Sequence, residues 1–550
     1  MTFKDLDLPR TPVRFARPLL ALLIAAATLT LMGHAFDAIY KPECGKFTIW
    51  RMCLFLVTLE KRLLALLVIL LLAMMARPGR FTALGRAAMT PAATGPQFML
   101  ILPGVFLVLL SSLFFEATDP AGLRQIGLTA WITGGLLVAA GALRLIAPWS
   151  VWGGTLRENW LSLALPALIA LSLPEIGRFL FPLWHIEAVR QLSFDAVVAL
   201  APLTGLDLFH IPGEYVIGQG DFLVRINQSC SGVEGFALIS VFLTLYITLF
   251  RRELAFPRIF LILPIGLALS WVFNVIRITL LIWIGVNISP DLAVDGFHSH
   301  AGWLMFSVLA LGCALSLRLV PWFQRAHVGR SASAAAISAP RPLPPLLQDW
   351  NAVRILPFAV FMASAVIAST FFTLPSLAYP MRFLLMLAVL FLFRRALARI
   401  DWRLSPLAAG LGAVIGLLWL WSAPVAQADT PLDLALASLG PLALAIWIVA
   451  RVGGTILAVP LIEELFFRSY LLERLGAGRS PWFMLLAVAL STAAFALLHD
   501  RWLAAALAGL VFAWLALRRD GRLSDAVLCH VIANAVIAGQ ALILGNWALI

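Results

Sequence analysis

The sequence predicts an all-α, polytopic transmembrane helical bundle of about 14–16 spans arranged as two membrane domains. Three observations predict it. Of the 550 residues, 62% are hydrophobic and only 12% charged, whereas soluble domains average roughly 45–50% apolar and about 25% charged residues. Apolar runs of bilayer-spanning length, about 17–25 residues, recur along the chain. The arginines gather in the short segments between these runs, where positive charge orients helices. The net charge of +12 is therefore a topology signal, and nucleic-acid binding is not expected.

Arg10, Arg14 and Arg17 precede the apolar run 18–34. No small-x-small cleavage site ends this run, so it reads as an uncleaved first helix with a cytoplasmic N-terminus. Further spans are expected at 60–76, 98–115, 127–147, 159–173, 236–250, 259–286 and 301–319. Within the irregular stretch 175–227, YVIGQGDFLVRI alternates around Gly218 and Gly220 and predicts a short hairpin outside the membrane. Residues 321–350, rich in Ala, Ser, Pro and Arg, predict a cytoplasmic linker. It separates a first domain, 1–320 with its core at about 95–320, from a second, 351–550. Spans of the second are expected at 355–373, 380–393, 405–422, 440–473, 482–498, 502–517 and 523–548. None of the five cysteines forms a CxxC pair, so no thioredoxin-like or zinc site is signalled. Cys313 and Cys529 read as small core residues, and Cys44 and Cys53 are either a disulfide on an oxidising face or two free thiols.

Depth places a first cluster of reactive side chains. Arg251, Arg252 and Arg258 mark a cytoplasmic turn between two spans. Cys230 precedes Arg251 by 21 residues, roughly 31 Å of helix at 1.5 Å per residue. Arg277 follows Arg258 by 19 residues, roughly 28 Å. Both reach the outer face, and His298 falls in the outer loop before 301–319. A thiol is nucleophilic only as thiolate, which a helix N-terminus or a neighbouring cation favours. Cys230 lies just ahead of the helix expected from Gly232. His298 suits the base that takes the thiol proton and returns it to a leaving amine. Arg277 suits an oxyanion or a substrate carboxylate. Taken singly, each has a bland reading: a buried cysteine, an arginine snorkelling to headgroups, a solvated loop histidine.

The blocks NQSCSGVEG, FNVIRITLL and FHSHAGWLMF resemble the exosortase/archaeosortase family in Cys230-Ser231-Gly232, Asn274 to Arg277, and His298 to Gly302. The resemblance implies a membrane cysteine transpeptidase. Its partners would be exported proteins bearing a C-terminal sorting signal, namely a short motif, a transmembrane helix and a basic tail, and an acceptor that the sequence does not identify. His300 stands beside the family position as an alternative base.

Ionisable residues inside spans are costly and mark function. LIEELFFRSYLLERL places Glu463 and Glu464 in an apolar helix, with Arg468 four residues after Glu464 and on its face. FALLH ends at His499, and CHVIAN carries His530 and Asn534 one turn apart. The basic residues Arg474, Arg479, Arg518, Arg519 and Arg522 all come out cytoplasmic only if 440–473 is one long span kinked near Gly453–Gly454 and Pro460. Glu464 then lies roughly 15 Å, and His530 roughly 12 Å, from the cytoplasmic ends. His499 comes out higher and requires a helix break or a deeper loop. A buried Glu beside a cation can activate water, and the histidines and Asn534 suit an oxyanion. Zinc is the rival cofactor for two His and a Glu, but HExxH is absent and no cofactor is expected. An interhelical polar network is the structural alternative.

EELFFR, FALLH and HVIAN resemble the CAAX protease and bacteriocin-processing (CPBP, or Abi) family in Glu463, Glu464 and Arg468, in Phe495 and His499, and in His530 and Asn534. Ser469 stands where that family often has Gly. The order of the two resemblances is similar to exosortase E/protease fusions, associated with VPEID-type signals in proteobacteria. That implies the bacterial inner membrane, with the first site facing the periplasm. A transporter, or a fusion in which one half is a non-catalytic scaffold, is the other class of reading; no inverted repeat supports the transporter.

Overall fold

Lipid offers the backbone no hydrogen bonds, so a chain this apolar must satisfy its amides within helices. A computed structural model shows this outcome. It describes residues 78–90, 95–113, 121–180, 187–227, 230, 232–251, 253–325, 346–423, 430–476, 481–518 and 522–550, with scattered residues between 20 and 74 and residue 182. The N-terminal arginines, Cys44, Cys53 and most of the 321–350 linker lie outside the described residues. In chain order the principal helices are α1 (Thr82–Met89), α2 (Gly95–Leu113), α3 (Ala121–Ile146), α4 (Trp149–Leu180), α5 (Glu187–Leu200), α6 (Val233–Leu249), α7 (Ile262–Asn287), α8 (Ser299–Leu319), α9 (Trp350–Phe371), α10 (Tyr379–Leu392) and α11 (Pro406–Trp421). They continue with α12 (Pro441–Arg474), α13 (Pro481–Ala496), α14 (Trp502–Leu517) and α15 (Leu523–Leu544). Among the described residues, seven helices are long and apolar enough to cross a membrane, and five more are shorter apolar helices. The protein is an all-α, multi-pass membrane bundle.

The expected single long span is present. α12 runs unbroken through Gly453 and Pro460, interrupted by two π-helical turns, Gly454–Ala458 and Leu465–Leu471. The expected hairpin is also present, as β2 (Val216–Gln219) paired antiparallel with β3 (Phe222–Arg225). A further strand, β1 (Phe209–Ile211), pairs with β2 and completes a three-stranded sheet. One placement differs from expectation: His298 closes a π-helical turn, Leu292–His298, that leads into α8, and does not lie in a loop.

The chain divides into two compact units, each discontinuous in sequence. One comprises Met1–Arg178, Ile400–Trp421 and Glu463–Ala533, and the other Phe179–Arg399, Ser422–Ile462 and Asn534–Ile550. In the first unit, α2 and α3 cross at two glycines. A Cβ on Gly104 would come within 2.8 Å of the Gly134 carbonyl oxygen, and one on Gly134 within 2.6 Å of the Gly104 carbonyl oxygen. In lipid, where helices gain no hydrophobic drive to associate, such close backbone approach supplies the packing. α11 buries Ala408, Gly412 and Gly416, four residues apart, with Gly412 against the Cys529 carbonyl of α15. Asn159 interrupts α4 with non-helical angles. Near the far end of α4, Glu175 grips the buried Arg62 at 2.5 Å.

In the second unit the sheet is anchored to α5 through Tyr215. The Arg190 guanidinium stacks 3.7 Å from its ring centroid, and the Phe194 ring meets it edge-on at 5.6 Å. The Glu187 carboxylate accepts from the Tyr215 hydroxyl and raises the phenol above its usual pKa. The π turn 292–298 packs on α9, with Gly296 against the Ser369 and Thr370 carbonyls and Phe297 edge-on to Phe371.

The α2–α3 crossing is checked by Gly134→Ala. The added methyl overlaps backbone, so we expect a loss of about 1–3 kcal/mol and a lower thermal midpoint in detergent. Gly153→Ala on α4, where a Cβ meets nothing within 4 Å, is the neutral control.

Candidate functional sites

The first candidate site lies in the second unit and is built on the turn before α6. Cys230 closes that turn, its N–H donating to the Asn227 carbonyl at 2.9 Å. Gly232 follows at φ +94° as the N-cap of α6. Only glycine serves there, because the φ is left-handed and a Cβ would stand 3.1 Å from Asn274 Nδ2. Asn274, on α7, donates from that Nδ2 to the Cys230 carbonyl at 2.8 Å. The middle motif thus holds the backbone of the first. Cys230 itself is buried, 8% exposed, among Val275, Ile278, Phe297 and Ala301.

Arg277, one turn beyond Asn274 on α7, is half-buried, and its guanidinium lies where a Cβ on Gly302 of α8 would come within 2.9 Å. The middle motif therefore also reaches the third. Arg277 is near enough to His298 for its charge to act on the imidazole. His298 is exposed and His300 half-buried. The three sequence blocks meet in one unit, but among the described residues no hydrogen bond joins Cys230 Sγ, Arg277 and His298 directly.

The second candidate site lies in the first unit, where α12 meets α13, α14 and α15. Glu464 is fully buried and doubly held. One oxygen stands 3.2 Å from Arg468 Nε and the other accepts from His530 Nδ1 at 3.0 Å. Arg468, also fully buried, donates to the Gly509 carbonyl of α14 at 3.2 Å and stacks 4.2 Å from the Phe495 centroid. Gly509 makes room for it, since a Cβ there would stand 3.0 Å from the guanidinium. The His530 ring stacks on Phe512 at 4.6 Å, and its Nε2 lies 3.8 Å from Glu463 Oε2. That oxygen of Glu463 is buried and has no hydrogen-bond partner among the described residues.

His499 sits in the turn after α13, the helix break that its depth requires. Its Nδ1 is 2.9 Å from the Phe495 carbonyl. A carbonyl only accepts, so Nδ1 is the donor in this contact and Nε2 is left for other partners. His499 is close enough to act electrostatically on Glu463. Asn534, one turn past His530, donates from Nδ2 to the Thr455 carbonyl at 2.8 Å, in the first π turn of α12. Sequence reasoning did not single out Gly509, Phe512 or Thr492. Thr492, whose buried hydroxyl lacks a partner among the described residues, was detectable as a polar residue in an apolar run. Gly509 in AAALAGL carries no such mark.

Two families of membrane peptidases or transpeptidases match this polytopic bundle. Residues 57–315 match the family model described as transmembrane exosortase, and residues 444–536 match type II CAAX prenyl endopeptidase Rce1-like. The chain thus carries an N-terminal match to the exosortase family and a C-terminal match to the CAAX protease family. The first match begins upstream of the 95–320 core, and the second is narrower than 351–550. No curated protein and no solved structure matches the chain.

The Glu464–Arg468 pair yields a stability test. Arg468→Ala leaves a buried carboxylate without its cation and should cost about 3–5 kcal/mol, read by thermal or denaturant unfolding in detergent. The double change Glu464→Gln/Arg468→Ala should cost less than the sum of the single changes. Strict additivity would show that the pair is not coupled.

Proposed function

We propose that the N-terminal segment cleaves C-terminal sorting signals of exported proteins and transfers the cleaved protein to an acceptor, with Cys230 as nucleophile, His298 as acid–base and Arg277 stabilising the oxyanion. The observation that carries this reading is the bond from Asn274 to the Cys230 carbonyl, with Arg277 one turn away against Gly302. The thiolate attacks the scissile carbonyl, forming a tetrahedral oxyanion that a guanidinium can pair with, and this collapses to a thioester as the C–N bond breaks. His298 gives its proton to the leaving amine, and an acceptor amine or water then resolves the thioester. The site faces the periplasm of a bacterial inner membrane, the substrates carry VPEID-type signals, and 321–350 is the cytoplasmic link between the two catalytic segments.

The test is co-expression with an exported protein ending in such a signal. Wild type should shorten the substrate, while Cys230→Ala, Arg277→Ala and His298→Ala each leave it full length at normal expression. An active His298→Ala beside an inactive His300→Ala moves the base to His300. In spheroplasts of these cells a membrane-impermeant maleimide should label the 8%-exposed Cys230 of the wild type slowly but before lysis; labelling only after lysis reverses the topology.

We propose that the C-terminal segment is a glutamate-type endopeptidase working without metal, with Glu463 as the base that activates water. Support comes from the unequal pairing of the two acids: Glu464 stands 3.2 Å from Arg468 Nε and 3.0 Å from His530 Nδ1, whereas the nearest ion-pair partner of Glu463 is His530 Nε2 at 3.8 Å. Glu464 and Arg468 fix the site, His499 and His530 polarise the substrate carbonyl, and Asn534 braces the π turn. Glu463→Gln and His499→Ala should each lower cleavage of a membrane-peptide substrate at least about 100-fold, with the Cys230-dependent product unaffected. Cleavage that a chelator abolishes and zinc restores would overturn the metal-free mechanism.

A further inference from the structure

Two intramembrane arginines of the second unit belong to neither catalytic cluster. Arg451 of α12 and Arg382 of α10 converge on the buried ring of Tyr379, their guanidinium carbons 4.4 and 5.4 Å from its centroid. Arg382 also lies 5.6 Å from the Phe361 centroid, and its Nε is 3.5 Å from Ser364 Oγ of α9. Tyr379 is held in place by Gly454, where a Cβ would stand 2.9 Å from the phenol oxygen. The Trp447 indole donates to the Ser376 carbonyl at 2.8 Å, which sets α10 and α12 in register. Arg382 lies seven residues from Pro375, and Arg451 ten residues from Pro441, so both sit about 10–15 Å inside that end of the bundle.

No carboxylate among the described residues pairs with either guanidinium. The charged or titratable neighbours of the pair are Tyr379 and the two guanidinium groups themselves. Arg451 Nε is buried without a hydrogen-bond partner among the described residues. Two buried arginines elsewhere in the chain are matched with acids, Arg468 with Glu464 and Arg62 with Glu175. A cation inside a bilayer is costly and is normally paired, so two facing cations with a phenol and a hydroxyl form a donor set that lacks only an anion.

We propose that Arg382, Arg451, Tyr379 and Ser364 bind a phosphate group, supplied by the headgroup of an anionic phospholipid. Guanidinium forks match phosphate oxygens bidentately, and basic pockets between spanning helices take lipid headgroups. The neighbouring outward residues Leu384, Leu387, Ile446 and Val449 are exposed and apolar, a surface for acyl chains. Ser364, Tyr379 and Arg382 lie outside both family matches.

The test uses the purified full chain in a neutral, phosphate-free detergent, titrated with phosphatidylglycerol, phosphatidylcholine or inorganic phosphate. Phosphatidylglycerol should raise the thermal midpoint of the wild type by about 5 °C, through preferential binding to the folded state. Native mass spectrometry should show one retained phosphatidylglycerol. Arg382→Gln/Arg451→Gln should lose both effects, while its midpoint without lipid equals or exceeds that of the wild type, because it removes uncompensated charge. Arg451→Lys, which keeps the charge but not the fork, should keep a weakened response if the double variant does not purify. An equal response in wild type and double variant, or no response to any of the three, overturns the site. A response to inorganic phosphate but not to phosphatidylglycerol overturns the lipid source.

Discussion

A charge inside an apolar bundle must be matched where it sits, because neither water nor a movable counter-ion screens it there. Glu464 meets this requirement with two partners, Arg468 on its own helix and His530 on α15. Arg468 in turn bonds the Gly509 carbonyl of α14. One carboxylate thereby ties three helices together, and the surroundings follow from it. Gly509 has no side chain because the guanidinium needs that volume. Phe495 and Phe512 offer their ring faces to Arg468 and His530, which keeps water out while still giving each cationic or polar ring a favourable neighbour.

The π turns are the second device. Each inserts a residue into the helical ladder, which frees a carbonyl and rotates the side chains beyond it. In α12 the first turn contains Thr455, whose carbonyl accepts from Asn534. The second turn carries Arg468. The turn Leu292–His298 ends on His298 and feeds α8, so the histidine rides on a helical segment whose Gly296 is pressed against α9. A helix position is better defined than a loop position, and placement within a fraction of an ångström is what acid–base chemistry requires.

Much of this was readable from residue type and spacing. Ionisable residues in apolar runs stand out, and Glu464 and Arg468 four apart must share a helix face. The alternation around Gly218 and Gly220 marked the hairpin, and the arithmetic of basic loops required α12 to be continuous. What escaped has physical reasons. β1 is three residues, all exposed, too short for a period of two to show. A π turn has no local sequence signature distinct from an α-helix or a loop, so His298 read as a loop residue. Gly509 acts by what it lacks. The bond from Asn274 to the Cys230 backbone joins residues 44 apart, a pairing that only the fold can reveal.

Adjacent acids illustrate the same limit and its resolution. Glu463 and Glu464 are neighbours, so pattern alone assigns them one environment. On a helix, however, successive side chains diverge by about 100°, and a single arginine four residues on can face only one of them. Arg468 faces Glu464, and His530 completes that pairing with its Nδ1–H, which leaves only its Nε2 side, at 3.8 Å, toward Glu463. A carboxylate locked by an arginine and an imidazole is a scaffold, since taking a proton from water would cost it both partners. Glu463, with His530 Nε2 at 3.8 Å and no arginine on its face, has no such cost to meet. Helical geometry thus gives two identical side chains separate surroundings, and the proposed base is the one that the ion pair with Arg468 does not reach.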